Sequence, residues 1–153
     1  MEIVPAQKED LKTVREIIRT TIMSIYPRYY PAGAVEYFLR HHSDEHIVTD
    51  ISLDKVYVLF DDEEPVGTVT ISGNEINRLF VLPKYQHKGY GTALLDFSEK
   101  KIMESYECVR VDASFPAKRI YLKRGYKEIE YNIVETENGD CLCYDVMRRE
   151  KYS

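Results

Sequence analysis

The chain has 153 residues and a mass of 18.0 kDa, enough for one domain with one substantial core. At 44% hydrophobic and 31% charged residues it is a globular rather than a disordered sequence. Its 21 basic and 26 acidic residues leave a net charge of −5, which argues against a nucleic-acid binder, since such a protein needs a basic face. No stretch approaches the roughly 18 apolar residues of a membrane span and no leader pattern opens the chain, so the expected location is cytoplasmic. Cys108, Cys141 and Cys143 lack both zinc-site spacing and a disulfide framework, and are expected to be small buried hydrophobes in a reducing compartment.

In chain order, residues 2–5 read as a short strand. Lys8–Tyr26 carries Leu11, Val14, Ile17, Ile18, Ile22 and Ile25 on one stripe, the mark of an amphipathic helix that Pro27 ends. The link Tyr26–Pro31 is rigid and aromatic, and a second short helix follows with Val35, Phe38 and Leu39 on one face. His42 and His46 are four apart, but the Ser, Asp and Glu between them read as a helix end and a turn rather than a zinc helix, so no metal is expected. Residues 55–60 and 65–71 alternate as an antiparallel hairpin across an acidic turn, and a strand over 75–82 follows. A helix after Gly91, a strand over 107–113, a short helix over 116–124 capped by Gly125, and a final hairpin turning at Asn138-Gly139 complete the chain. With no repeat or linker, residues 1–153 form one domain.

The order is β-α-α-β-β-β-α-β-α-β-β. Its one strand–helix–strand crossover predicts a single parallel pair in a mixed, twisted, mostly antiparallel α/β sheet with about four helices. The organising stretch is Gln86, His87, Lys88, Gly89, Tyr90, Gly91 and Thr92, a glycine turn between a strand and a helix. Such a turn presents free backbone N–H groups at the positive end of a helix dipole, which makes it an anion site. The dinucleotide fingerprint fails because Leu94 stands at the third glycine, and the P-loop spacing is absent too.

Gln-x-x-Gly-x-Gly after a strand ending Val-x-Pro resembles the pyrophosphate-binding segment of the GNAT superfamily of N-acetyltransferases. Ala117, Tyr121 and Gly125 match the spacing of a second motif of that family, with Ser114 where Asn is usual and Tyr126 where Phe is usual. The element order resembles the same fold along the whole chain. The resemblance implies acetyl-CoA as donor, a primary amine of a small molecule, amino acid or peptide as acceptor, and direct transfer in a ternary complex. It places the pyrophosphate on residues 86–92 and the pantetheine along Leu79, Phe80 and Val81, with Ser114 as a further contact. The Val81 N–H would then meet the thioester carbonyl, and Tyr121 would supply the thiolate's proton.

Glu75 is the expected base, with Asp112 or water as alternatives. By period-two alternation, Glu75, Asn77, Leu79 and Val81 are expected on one face of their strand. Tyr26, Arg28, Tyr29 and Tyr30 are the expected acceptor-binding residues, the aromatic rings suiting an apolar or cationic body and Arg28 a carboxylate. A non-catalytic CoA-binding regulatory module is the alternative function, and the assembly is left open between monomer and homodimer.

Overall fold

A computed structural model describes residues 1–151. The strands are β1 (Glu2–Pro5), β2 (Val56–Asp61), β3 (Glu64–Ser72), β4 (Glu75–Val81), β5 (Cys108–Ala113), β6 (Lys127–Glu135) and β7 (Cys141–Glu150). They form one sheet in the order β1-β2-β3-β4-β5-β7-β6, antiparallel throughout except for the β4–β5 pair. The helices are α1 (Leu11–Ile25), α2 (Ala32–His41), α3 (Asp44–Ser52), α4 (Tyr90–Met103) and α5 (Lys118–Lys123). Helix α3 is a correction, because the residues around His46 were expected to form a turn.

Each sheet face carries its own core. On one side α1 inserts Val14, Ile17, Ile18 and Ile22, at i, i+3, i+4 and i+8, against Val56, Val58 and Phe80 of the sheet. Truncating a fully buried residue such as Ile18 to Ala would cost about 2–5 kcal/mol. Pro27 supplies no N–H to extend the helix, and a single 3-10 turn replaces it at Tyr26–Arg28. On the other side α4 sets Leu94, Leu95 and Ile102 against Val109, Val111 and Met147. Buried Glu99 accepts hydrogen bonds from Arg149 at 3.0 and 3.1 Å, from the Tyr126 hydroxyl at 2.9 Å and from Arg124. Losing one partner of a buried charge cluster costs about 3–5 kcal/mol, so this network moors α4 to β7 and to the turn after α5.

Two departures from regular sheet geometry position everything that follows. First, β4 and β5 pair only at Glu75↔Arg110 and Ile76↔Val111, so the strands part from Asn77 onward. Second, Thr70 pairs with Asn77 and Thr68 with Phe80, which leaves Arg78 and Leu79 together opposite Val69. That is a β-bulge, with Arg78 at φ +44. The bulge resets the side-chain alternation. Leu79 and Val81 therefore pack with Ile76 in the α4-side core, while Phe80 joins the α1-side core. The expected shared face of Glu75, Asn77, Leu79 and Val81 is thus corrected.

The cysteines are corrected too: Cys141 is exposed and Cys143 half-buried, because the start of β7 pairs only with the edge strand β6, and Cys108 is half-buried at the first position of β5. The tip of the β6–β7 hairpin folds over the start of α2. There Asp140 accepts from the Gly33 N–H at 2.8 Å, and any Cβ on Gly33 would sit 2.0 Å from Asn138 Oδ1.

Candidate active site

Six consecutive backbone N–H groups, from His87 to Thr92, have no protein acceptor among the described residues; the first bond of α4 runs from Ala93 N to Gly89 O, at 3.0 Å. The turn that bares them needs two left-handed residues, His87 at φ +63 and Gly89 at φ +89. Six bare donors at a helix N-terminus fit a diphosphate. Gln86 braces the turn by donating its side-chain amide to Val81 O at 3.0 Å. The Tyr90 hydroxyl donates to Asp61, tying the first turn of α4 to the end of β2. His87, Lys88, Gly89 and Thr92 are exposed, and Gly91 is half-buried.

Leu82 gives its N–H to Val66 O of β3, at 2.9 Å. By strand alternation the Val81 N–H points the other way, into the gap β5 has left. A thioester lying along Leu79–Val81 would meet that donor. The gap opens into a cavity of about 420 Å³ between β4, β5, β7 and α2.

Of the expected residues, Tyr26, Glu75, Leu79, Phe80, Ser114 and Tyr121 line this cavity, as does Asp112. Tyr121 is buried, its ring 5.2 Å from that of Tyr126 in an edge contact. Burial, with the charges of Tyr26 and Glu99 adding to it, pushes its phenol well above the ordinary range, so it stays protonated at neutral pH. No protein group bonds its hydroxyl among the described residues. Burial also raises Tyr26, to about 12, and the Ser114 hydroxyl bonded to it opposes the rise.

Glu75 Oε1 lies 3.3 Å from Arg110 Nε, but that N–H is not aimed at it, so the contact is an ion pair without a hydrogen bond. Arg110 also sits 3.9 Å from Asp112.

The Tyr26–Pro31 link divides. Tyr30 is buried and its oxygen accepts from the Phe115 N–H at 2.5 Å. Arg28 and Tyr29 are exposed, with Tyr29 against Phe115 and outside the cavity lining. The lining also contains Tyr37, His41, His42, Arg78 and Tyr144, none of them picked out as site residues from the sequence. Arg78 Nε donates to His42 Nδ1 at 2.9 Å, and Arg78 Nη1 pairs with Asp50 of α3. His46 Nδ1 lies 2.9 Å from His41 O, so both candidate metal histidines have protein partners. Burial first, and then the charge of Arg78, lowers both His41 and His42; His42 falls well below the usual range.

Residues 26–139 match the family model described as an acetyltransferase (GNAT) domain. The chain belongs to the GNAT acetyltransferase family, whose members draw the acetyl group from acetyl-CoA. It is 29% identical over 138 residues to an N-alpha-acetyltransferase of Sulfurisphaera tokodaii, covering 82% of this chain and 79% of that one. It is 31% identical over 85 residues to the uncharacterized N-acetyltransferase YafP of Escherichia coli, covering 56% of this chain and 54% of YafP. A GCN5-related N-acetyltransferase from Rhodopseudomonas palustris superposes with a TM-score of 0.87 at 25% identity, over 97% of this chain and 94% of that one.

Proposed function

We propose that this chain transfers the acetyl group of acetyl-CoA to a primary amine of a small molecule, amino acid or peptide, by direct attack in a ternary complex. The carrying observation is that Leu79 and Phe80, on the parted edge of β4 that runs into Val81, line one cavity with the protonated Tyr121, and that the chain goes on from that edge to the bare amides of 87–92. Those amides bind the diphosphate, and the parted edge of Leu79, Phe80 and Val81, with Ser114 opposite, takes the pantetheine as an added strand. The donor supplies an activated acyl carbon.

Val81 N–H steadies the charge that gathers on the acyl oxygen as the amine nitrogen bonds to that carbon. Tyr121 gives its proton to the sulfur as the carbon–sulfur bond breaks. Glu75, or Asp112 across Arg110, takes the proton the amine loses, directly or through water. The names of the relatives support N-acetylation without choosing the amine.

Replacing Tyr121 by Phe should lower kcat about 10²–10⁴-fold with little change in the KM for acetyl-CoA. Release of free thiol from acetyl-CoA reads this out, and full turnover by the variant would remove Tyr121 from the mechanism. We also infer a cytoplasmic protein that assembles as a homodimer through β6. Three free thiols support the first, and no described helix is long and apolar enough to cross a membrane. The exposed edge of the sheet supports the second.

A further inference from the structure

Resting on the transferase reading, we infer that Arg78 recognises the acceptor by donating hydrogen bonds to a neutral carbonyl oxygen near the amine. The acceptor it selects is a peptide N-terminus or another α-amino amide, rather than a plain alkylamine or a free amino acid.

Arg78 carries five N–H donors. Nε is spent on His42 and Nη1 on Asp50, but Nη2 bonds no protein group among the described residues. The side chain is only 10% exposed, and the residue lines the acceptor cavity. Nη2 is not a fully buried orphan, so it reaches the open cavity, where an oxygen of the acceptor can take the place of water on it.

The backbone supports the same role independently. Regular alternation would have sent Arg78 to the face of Ile76, into the apolar core under α4. Instead the bulge, with a non-glycine residue held at φ +44, turns it toward the α1–α3 side, where Asp50 and His42 fix the guanidinium. Backbone strain of this size persists where the surroundings enforce it, commonly at binding sites.

Charge decides which oxygen. Asp50, Glu75 and Asp112 set three carboxylates against the two guanidiniums of Arg78 and Arg110. His41 and His42 are neutral at pH 7, since burial and Arg78 both disfavour their charged forms. The cavity therefore attracts an ammonium group and disfavours another anion, while Asp50 already balances Arg78. A carbonyl dipole meets the free donors without adding charge. Tyr37 and Tyr144 supply apolar wall for the first side chain.

The test compares L-phenylalaninamide, L-phenylalanine and 2-phenylethylamine, which share a ring and an amine and differ in the oxygen beside it. Free-thiol release from acetyl-CoA gives kcat/KM for each, in the wild type and in Arg78→Lys, which keeps a cation for Asp50 but loses the planar fork. The Arg78→Gln/Asp50→Asn double variant removes both charges together. The variants also give the baseline set by amine basicity.

The expected result is that the wild type prefers the amide over both others at least tenfold more than either variant does. Calorimetry of phenylalaninamide into CoA-loaded protein should show the same loss of binding. Equal preferences in wild type and variants, or a wild-type preference for the free amino acid, overturns the role of Arg78 and leaves the transferase reading standing. Where neither variant folds, the wild-type ratio corrected for the free-base fraction of each amine decides. Heat on adding CoA without thiol release from any of the three, or from a wider amine panel, overturns the transferase reading and this inference with it.

Discussion

His42 sits with its Nδ1 accepting from Arg78 and its ring stacked 6.5 Å from Phe38, a position with no room for a proton. Burial, Arg78 and the neighbouring His41 and His46 hold it neutral in the folded state. The unfolded ring takes up its proton near pH 6.5, so below that pH the unfolded chain binds more protons than the native one. Stability is therefore complete above about pH 6.5 and falls as the pH drops toward the lowered native value. Urea midpoints should decline between pH 7.5 and 5.5, and His42→Gln, whose amide oxygen can still accept from Arg78, should flatten that slope; parallel slopes would clear His42. At this scale the sequence was legible only in part. Tyr121 and Glu75 could be found because a motif spacing and a strand start pointed to cavity-lining positions. Arg78, His41 and His42 could not, because a buried arginine and a neutral histidine acquire those states only from groups distant in sequence: Asp50 is 28 residues before Arg78.

The glycine turn is the element whose sequence and shape agree most closely. Gly89 is required by its φ of +89, not by crowding, since an added Cβ would meet nothing within 4 Å. Holding alanine there costs about 1–3 kcal/mol. Gly89→Ala should fold normally and bind coenzyme A about tenfold more weakly by calorimetry, because binding must restore the strained turn. Unchanged affinity would mean that the turn's shape does not set the bare amides. Two elements escaped the sequence for identifiable reasons. Helix α3 buries only Ile47 and Ile51, and its other positions are polar or weak helix formers, so no stripe stands out. The β4 bulge falls at an arginine, with no glycine to announce it; it is visible only in the register against β3.

For the whole molecule, the order of elements led to the mixed sheet and its one parallel pair, because a crossover through a helix leaves little choice. The outer edge is less conventional. β6, nine residues long, pairs with β7 on one side and has no neighbouring strand on the other among the described residues, with Ile129, Tyr131 and Ile133 between 54 and 61% exposed. Two copies paired antiparallel about Tyr131 would set Ile129 against Ile133 and Lys127 against Glu135, matching apolar with apolar and charge with opposite charge. Sedimentation should give twice the 18.0 kDa chain mass for the wild type and a single chain for Ile133→Lys; a wild-type monomer at high micromolar concentration would rule out this pairing.

The narrow seam between β4 and β5 has a mechanical consequence. Only two residue pairs stitch the slab β1–β4 to the slab β5–β7, so the sheet is jointed there rather than continuous. α4 spans the joint, and Glu99 clamps it to the far slab. A molecule wedged in the fork touches both slabs at the end away from the stitch, where leverage is greatest, and so acts as a strut that stiffens the protein at each arrival and loosens it at each departure.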